Sequence, residues 1–300
     1  MRRAPHAPLV WLLLGVLAMI WGSSFILIKR GLFHEGQPVL PPGQLAAARL
    51  AIAWIVLSPV LLRHARLMRA HWLPLLGSGL LGNGIPAFLF AWAQTRIDSS
   101  LSGMLNSLTP LMTLISGAAL FSSRLRWVHI AGVLLGLVGA VGLIRLGAGE
   151  SPPGWSYYAL LPVLGTVCYG LSGNIVKYHL GGLPPLAISA LALTWVGPPA
   201  LLLSLGNGFT TTLSEHPMAW RSLAYVAALA TFSSAIALVL WNMLLQRTTA
   251  LAASSVTYLM PIVAIGWGFL DGEPLGLGQM AMIGVVLAGV YLVNAGRSLR

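Results

Sequence analysis

The second half of this chain repeats the first with its sense across a membrane reversed. Trp21-Gly22-Ser23-Ser24, followed by Lys29, returns roughly 150 residues later as Tyr169-Gly170-Leu171-Ser172, followed by Lys177. Asn106-Ser107-Leu108-Thr109-Pro110 returns as Thr257-Tyr258-Leu259-Met260-Pro261. Both blocks lie in apolar runs of about 20 residues, the length a helix needs to cross a bilayer core. Ten such runs are read along the chain: 9–29, 43–62, 72–94, 100–121, 127–146, 155–177, 184–205, 220–245, 251–270 and 275–294. An odd number of spans per repeat makes the second copy enter the bilayer from the opposite side. The expected fold is an all-α membrane protein. Two inverted five-helix repeats, residues 1–150 and 151–300, surround a central cavity.

Composition excludes the soluble classes. The chain of 300 residues is 57% hydrophobic and 8% charged, with a mean hydropathy of +0.84. So few charges cannot cover the surface of a water-soluble protein. Little chain is left outside the runs for a catalytic domain, so no enzyme is expected. Met1-Arg2-Arg3 before an apolar run mimics a secretory leader. That run is too long and lacks a small-residue cleavage site, so it reads as an uncleaved first span. Cys168 is the only cysteine, which rules out a disulfide framework and a thiolate metal site. No phosphate-binding loop, metal cluster or dinucleotide motif is present, so neither metal nor cofactor is expected.

Charge placement orients the chain. With the N-terminus in the cytoplasm, the cytoplasmic ends hold Arg2, Arg3, Arg63, Arg66, Arg69, Arg124, Arg126, Lys177, Arg247, Arg297 and Arg300. The outer ends hold Lys29, Arg30, Arg96, Arg145 and Arg221, and Arg49 lies within the second span. The bias follows the positive-inside rule and puts both termini in the cytoplasm of a bacterial-type inner membrane. All six acids, Glu35, Asp98, Glu150, Glu215, Asp271 and Glu273, fall at outer ends. The net charge of +11 then faces anionic lipid, and no nucleic-acid partner is needed. Trp72, Trp127, Trp155 and Trp220, near span ends, read as interface anchors.

These motifs, in this order and doubled, resemble the drug/metabolite transporter superfamily, EamA type, over nearly the whole chain. The resemblance rests on Trp21-Gly22-Ser23-Ser24-Phe25 and its copy around Tyr169-Gly170, on the Pro110 and Pro261 helices, and on Asp271-Gly272-Glu273. Two glycine-rich helices, with Gly132, Gly136, Gly139 and Gly142, then Gly284 and Gly289, complete it. The family usually carries a Gly-Glu-Arg turn after the fourth helix of each half. Here the first copy reads Ser122-Ser123-Arg124, without the acid. The resemblance implies ten helices, export of small metabolites and a site between the halves.

Polar stripes on the spans point to that site, because a polar group in a membrane needs a partner or water. Ser102, Asn106, Thr109 and Thr113 share one face of the fourth span. The ninth span answers with Thr257, flanked by Ser254 and Tyr258. Asn83 and Phe90 on the third span correspond to Ser234 and Trp241 on the eighth. Trp21, Ser24 and Ile28 on the first correspond to Tyr169, Ser172 and Val176 on the sixth. A small hydroxyl also bonds helix to helix, at about 0.6 kcal/mol per contact. The matched pairs favour a substrate cavity. Pro110 and Pro261 each remove an amide donor, and so would free the carbonyls of Asn106 and Thr257 for a kinked, flexing site. Gly132 and Gly136 have GxxxG spacing, read as close packing between the halves or as the seam of a weak homodimer. Arg49 either snorkels to the outer surface or anchors a carboxylate.

No acid falls within a span, which argues against a proton-driven exporter of lipophilic cations. Aromatic faces, amides and a nearby base suit an amino acid, zwitterionic and apolar or aromatic, moved without a buried proton carrier. Some members of the superfamily export amino acids. The alternatives are a multidrug or cation exporter, a nucleoside or sugar exporter, and a scaffold, for which an output domain is lacking. A remoter one is an intramembrane serine protease, from Gly170-Leu171-Ser172-Gly173. That chemistry needs a histidine at membrane depth, and His129, His179 and His216 all lie near span ends.

Overall fold

The computed structural model describes residues 7–122, 127–147, 155–273 and 276–295. Arg2, Arg3, Arg124, Arg126, Glu150, Arg297 and Arg300 lie outside the described residues. The principal helices are α1 (Pro8–Leu32), α2 (Pro42–Val60), α3 (Trp72–Ala93), α4 (Ser99–Leu120), α5 (Trp127–Gly147), α6 (Tyr157–Leu180), α7 (Pro185–Gly206), α8 (Ala219–Arg247), α9 (Ala250–Leu270) and α10 (Leu277–Ala295). Eight of them are long and apolar enough to cross a membrane. The other two, α5 and α10, are apolar over shorter stretches, Trp127–Leu143 and Leu277–Gly289. Lipid-type exposure is plain on the outside of the bundle, where Trp72, Trp127 and Trp220 stand exposed at helix starts. The side chain of Trp155 is not among those described.

The halves interlock. In α1, Gly22 packs so closely on α9 that an added Cβ would lie 2.6 Å from Val263 Cβ and 3.0 Å from the Met260 carbonyl oxygen. In α6, Gly170 meets the α4 backbone: an added Cβ would lie 2.6 Å from Met112 C and 2.7 Å from Thr113 N. The glycine of each repeat's opening motif thus seats the proline-bearing helix of the other repeat. Elsewhere α2 packs along α7, and α5 lies along α10. A Cβ on Gly289 would meet Gly136 N at 2.5 Å and Gly132 O at 2.6 Å. The GxxxG face of α5 is therefore filled by α10 of the same chain. A central core of α1, α2, α3, α7, α8 and α9 residues includes Phe25, Leu50, Phe90, Leu193, Leu229 and Met260.

Pro110 and Pro261 do not kink continuous helices. The α4 helix is built of two segments, Ser99–Asn106 and Thr109–Leu120, and Pro110 opens the second. In α9, a segment Ala250–Ser254 passes through a 3₁₀ turn, Ser255–Tyr258, to Met260–Leu270, again with proline in the opening turn. Proline fits there because a first-turn N–H has no intrahelical acceptor. Nor is the Asn106 carbonyl left free, since the Thr109 hydroxyl donates to it at 2.8 Å.

Two further features escaped the sequence. Matched π-helical turns interrupt α3 at Leu80–Gly84 and α8 at Leu229–Ile236. A third, Val176–Leu180, ends α6. After α1 comes a small hairpin, Phe33–His34 paired with Gln37–Pro38, turned by Glu35 and Gly36 at positive φ, 50° and 78°.

Candidate functional site

The broken helices and the π turns meet around one cavity. Its space is about 890 Å³, counting the part open to solvent. The opening motifs contribute Trp21, Ser24 and Ile28 from α1, and Tyr169, Ser172 and Val176 from α6. Phe90 of α3 faces Trp241 of α8, and Asn106 and Thr109 of α4 face Thr257 and Met260 of α9. Each is the repeat counterpart of the other.

Aromatic rings from both repeats stand on the wall. Trp21 and Trp241 lie 5.4 Å apart between centroids, and Phe90 stacks on Tyr169 at 5.9 Å. Phe25 tilts against Phe90 at 5.8 Å. The Trp21 indole N–H donates to the Ser233 carbonyl at 3.1 Å, and the hydroxyls of Ser24 and Ser233 share a hydrogen bond of 2.6 Å. These bonds tie α1 to the π turn of α8 and fix ring orientation.

Several polar atoms on the wall are unspent. The Asn83 amide nitrogen and the Asn242 amide oxygen are buried without a hydrogen-bond partner among the described residues. The Asn242 nitrogen donates to Ser189 Oγ at 2.9 Å, which fixes the amide. The Asn106 side chain is held loosely, its nitrogen 3.8 Å from Met260 Sδ and its oxygen accepting from the Thr109 hydroxyl at 3.5 Å. Arg49 turns inward from α2, lines the cavity, and donates from Nε to Ser234 Oγ at 2.7 Å. Among the described residues no carboxylate lies within ion-pairing distance of it.

Three residues of the expected site stand elsewhere. Ser234 lies behind the wall as the acceptor of Arg49, and Ser233 takes the place on the cavity. Asn83 and Ser234 both lie in π turns, of five residues in α3 and eight in α8, where the face no longer follows the α-helical spacing that a simple repeat offset assumes. Ser102 is buried on α4 away from the cavity, its hydroxyl without a partner. Tyr258 packs against the cluster formed by α4, α5 and α10. Ser78, Ser233 and Asn242 line the cavity without having been read from the sequence.

The two ends of the bundle differ. At one, Glu273 comes off α9 to cap the start of α4, accepting from Ser99 N at 3.0 Å, Ser99 Oγ at 2.6 Å and Ser100 N at 2.9 Å. Lys29 of α1 bonds it at 2.9 Å and Asp271 at 2.5 Å, while Arg30 also pairs with Asp271. The Glu273 side chain is 1% exposed. Burial pushes its carboxyl up, but hydrogen bonds from Ser100, Ser99 and Lys29 outweigh this and hold it at about 2, below the usual 4.5. Asp98 nearby is pushed up, by burial and by the charge of Glu273. At the other end Ser122 stands where Glu273 would be expected, and Lys177 donates to the Leu245 and Thr248 carbonyls, 2.7 and 2.5 Å. There the start of α9 is capped by Thr249, which accepts from Ala252 N at 3.1 Å.

Comparison with known proteins decides the class. The profile of the EamA-like transporter family matches residues 9–145 and again 156–295. The chain belongs to the EamA-like transporter family. It is 26% identical over 298 residues to "Uncharacterized inner membrane transporter YedA" of Escherichia coli (strain K12), covering 94% of this chain and 90% of that one. The "Probable terminal-alkyne amino-acid exporter" of Streptantibioticus cattleyicolor is 26% identical, covering 95% and 93%. The "Probable amino-acid metabolite efflux pump" of Salmonella typhimurium is 28% identical, covering 92% of each. A solved structure described as "Crystal structure of protein" has the same fold, with a TM-score of 0.64 over 97% of this transporter and 99% of that chain, at 20% identity.

Proposed function

We propose that this transporter is a ten-span, alternating-access exporter of amino acids with aromatic or other apolar side chains. Its termini lie in the cytoplasm, so the Lys29–Glu273 end faces outward and the Lys177 end inward. The observation that carries the reading is the cavity itself: rings from both repeats, unspent amide groups and one guanidinium, at the interface of inverted halves. Arg49 would take the carboxylate, the rings around Trp21 and Trp241 the side chain, and the amides and hydroxyls the rest of the head group. The names of two relatives, an amino-acid exporter and an amino-acid metabolite efflux pump, support the class.

A lipophilic cation suits the site poorly. Among the described residues no Asp or Glu lines the cavity to receive it, and Arg49 would repel it. The same lack removes the usual proton-coupling group, so transport is facilitative.

Counterflow in proteoliposomes tests the reading. The panel holds labelled phenylalanine, leucine, a nucleoside, a sugar and a quaternary cation. Counterflow of an amino acid, reduced at least tenfold in Trp241→Ala and Asn106→Ala, is expected. A signal from the cation or sugar with silence from every amino acid overturns it.

A further inference from the structure

Arg49 is a charge without a countercharge. Of its five N–H donors the structure commits one, to a neutral hydroxyl on Ser234. Among the described residues no carboxylate lines the cavity and none ion-pairs with Arg49. The acids that do form ion pairs bond Lys29, Arg30 and His34 instead. A lone guanidinium at membrane depth is costly, and its flat fork of donors matches a carboxylate through two parallel hydrogen bonds.

Counting charge then discriminates among cargoes built on one skeleton. An amine takes the cavity from +1 to +2. A zwitterion leaves it at +1 and buries an ammonium opposite no acid. A carboxylate without an ammonium brings it to zero. We infer that the preferred cargo is an organic monoanion, an apolar or aromatic amino-acid skeleton whose amino charge is absent, as in an N-acyl amino acid or a 2-oxo acid. This rests on the proposed amino-acid class and narrows it.

The inference also supplies the driving force. A carrier returns to its starting state after each cycle, so the net charge moved is that of the cargo. An inside-negative potential expels a monoanion at about 50-fold accumulation per 100 mV. No proton-carrying acid is needed in the cavity, and none lines it among the described residues.

The test compares N-acetylphenylalanine, 3-phenylpropionate, phenylalanine and phenethylamine. Dissociation constants come from calorimetry on the purified protein. Uptake is measured in proteoliposomes whose potential is clamped by potassium and valinomycin. The two anions should bind at least tenfold more tightly than phenylalanine, and phenethylamine should not bind. An interior held 100 mV positive should accumulate the anions about 50-fold, with no accumulation at zero potential. Arg49→Lys should keep the ranking with weaker binding, and Arg49→Gln should level it. If the glutamine variant fails to fold, the ranking and potential dependence of the natural protein decide. Phenylalanine binding better than both anions, or accumulation indifferent to potential, overturns the monoanion and leaves the amino-acid exporter standing. If no carboxylate binds or moves while the nucleoside, sugar or quaternary cation does, both readings fall.

Discussion

Glu273 shows how much one side chain can join. Its carboxylate spans α1, α4 and the end of α9, serving as a helix cap and an ion-pair partner at once. Because its folded pKa of about 2 lies below the ordinary 4.5, its contribution is complete above pH 4.5 and is lost as pH falls toward 2. Thermal unfolding in detergent should therefore drop across that window. Glu273→Gln should cost about 1–3 kcal/mol at neutral pH and blunt the acid decline. Parallel acid profiles for the two proteins would refute this role. The sequence marked Glu273 as part of a motif and Lys29 as part of the repeat, without joining the two. Their contact joins positions 244 residues apart, and such a pairing leaves no local periodicity to find. Ser102 carries the opposite lesson. It sits on the same helical stripe as Asn106, yet only Asn106 reaches the cavity. Ser102→Ala should leave the half-saturation concentration unchanged in counterflow, while Ser233→Val raises it several-fold by filling the wall and breaking the bond to Ser24.

Among the helices, length and apolarity announced the eight that are long and apolar enough to cross a membrane, because a bilayer sets a minimum length for a span. Register within an element was legible only where the helix is regular. The α3 and α8 π turns use ordinary residues, with no proline to betray them, and within the α8 turn Ser233 rather than Ser234 lines the cavity. The repeated glycines were visible, and their purpose follows from the crossings they permit. The two crossings differ in what a methyl group would strike. At Gly22 it meets chiefly the Val263 side chain, at Gly170 the backbone of Met112 and Thr113. Gly170→Ala should thus destabilise more than Gly22→Ala. The overpacking costs should fall within about 1–3 kcal/mol or above for Gly170, as read from detergent melts of the two variants. Equal melting points would argue that the α6–α4 crossing is looser than the structure has it.

Over the whole molecule, interlocked halves and unequal ends set the behaviour. Each repeat's first helix is seated on the other repeat, so residues 1–150 produced alone should fail to give a monodisperse protein, and adding 151–300 in the same cell should rescue it. Under the proposed alternating access, the ion pairs at the Lys29 end should oppose its opening, with no acidic counterpart at Ser122. In a Cys168→Ser background, Ile28→Cys places a label site on the cavity wall. With the Lys29 end outward, as proposed, adding Lys29→Met should increase its labelling by an impermeant maleimide from the outer face, by on the order of tenfold if about 1.4 kcal/mol of closure is lost. Unchanged labelling would mean the pairs only brace the bundle.

A latch at one end cannot choose the direction of net flux, which belongs to the gradients. It does set thresholds. A site available from the outside for only a small fraction of the time has its apparent affinity on that face reduced by the same fraction. The carrier would fill from a dilute cytoplasmic pool and ignore all but a concentrated external one, so that the cell could shed a compound early and take little of it back.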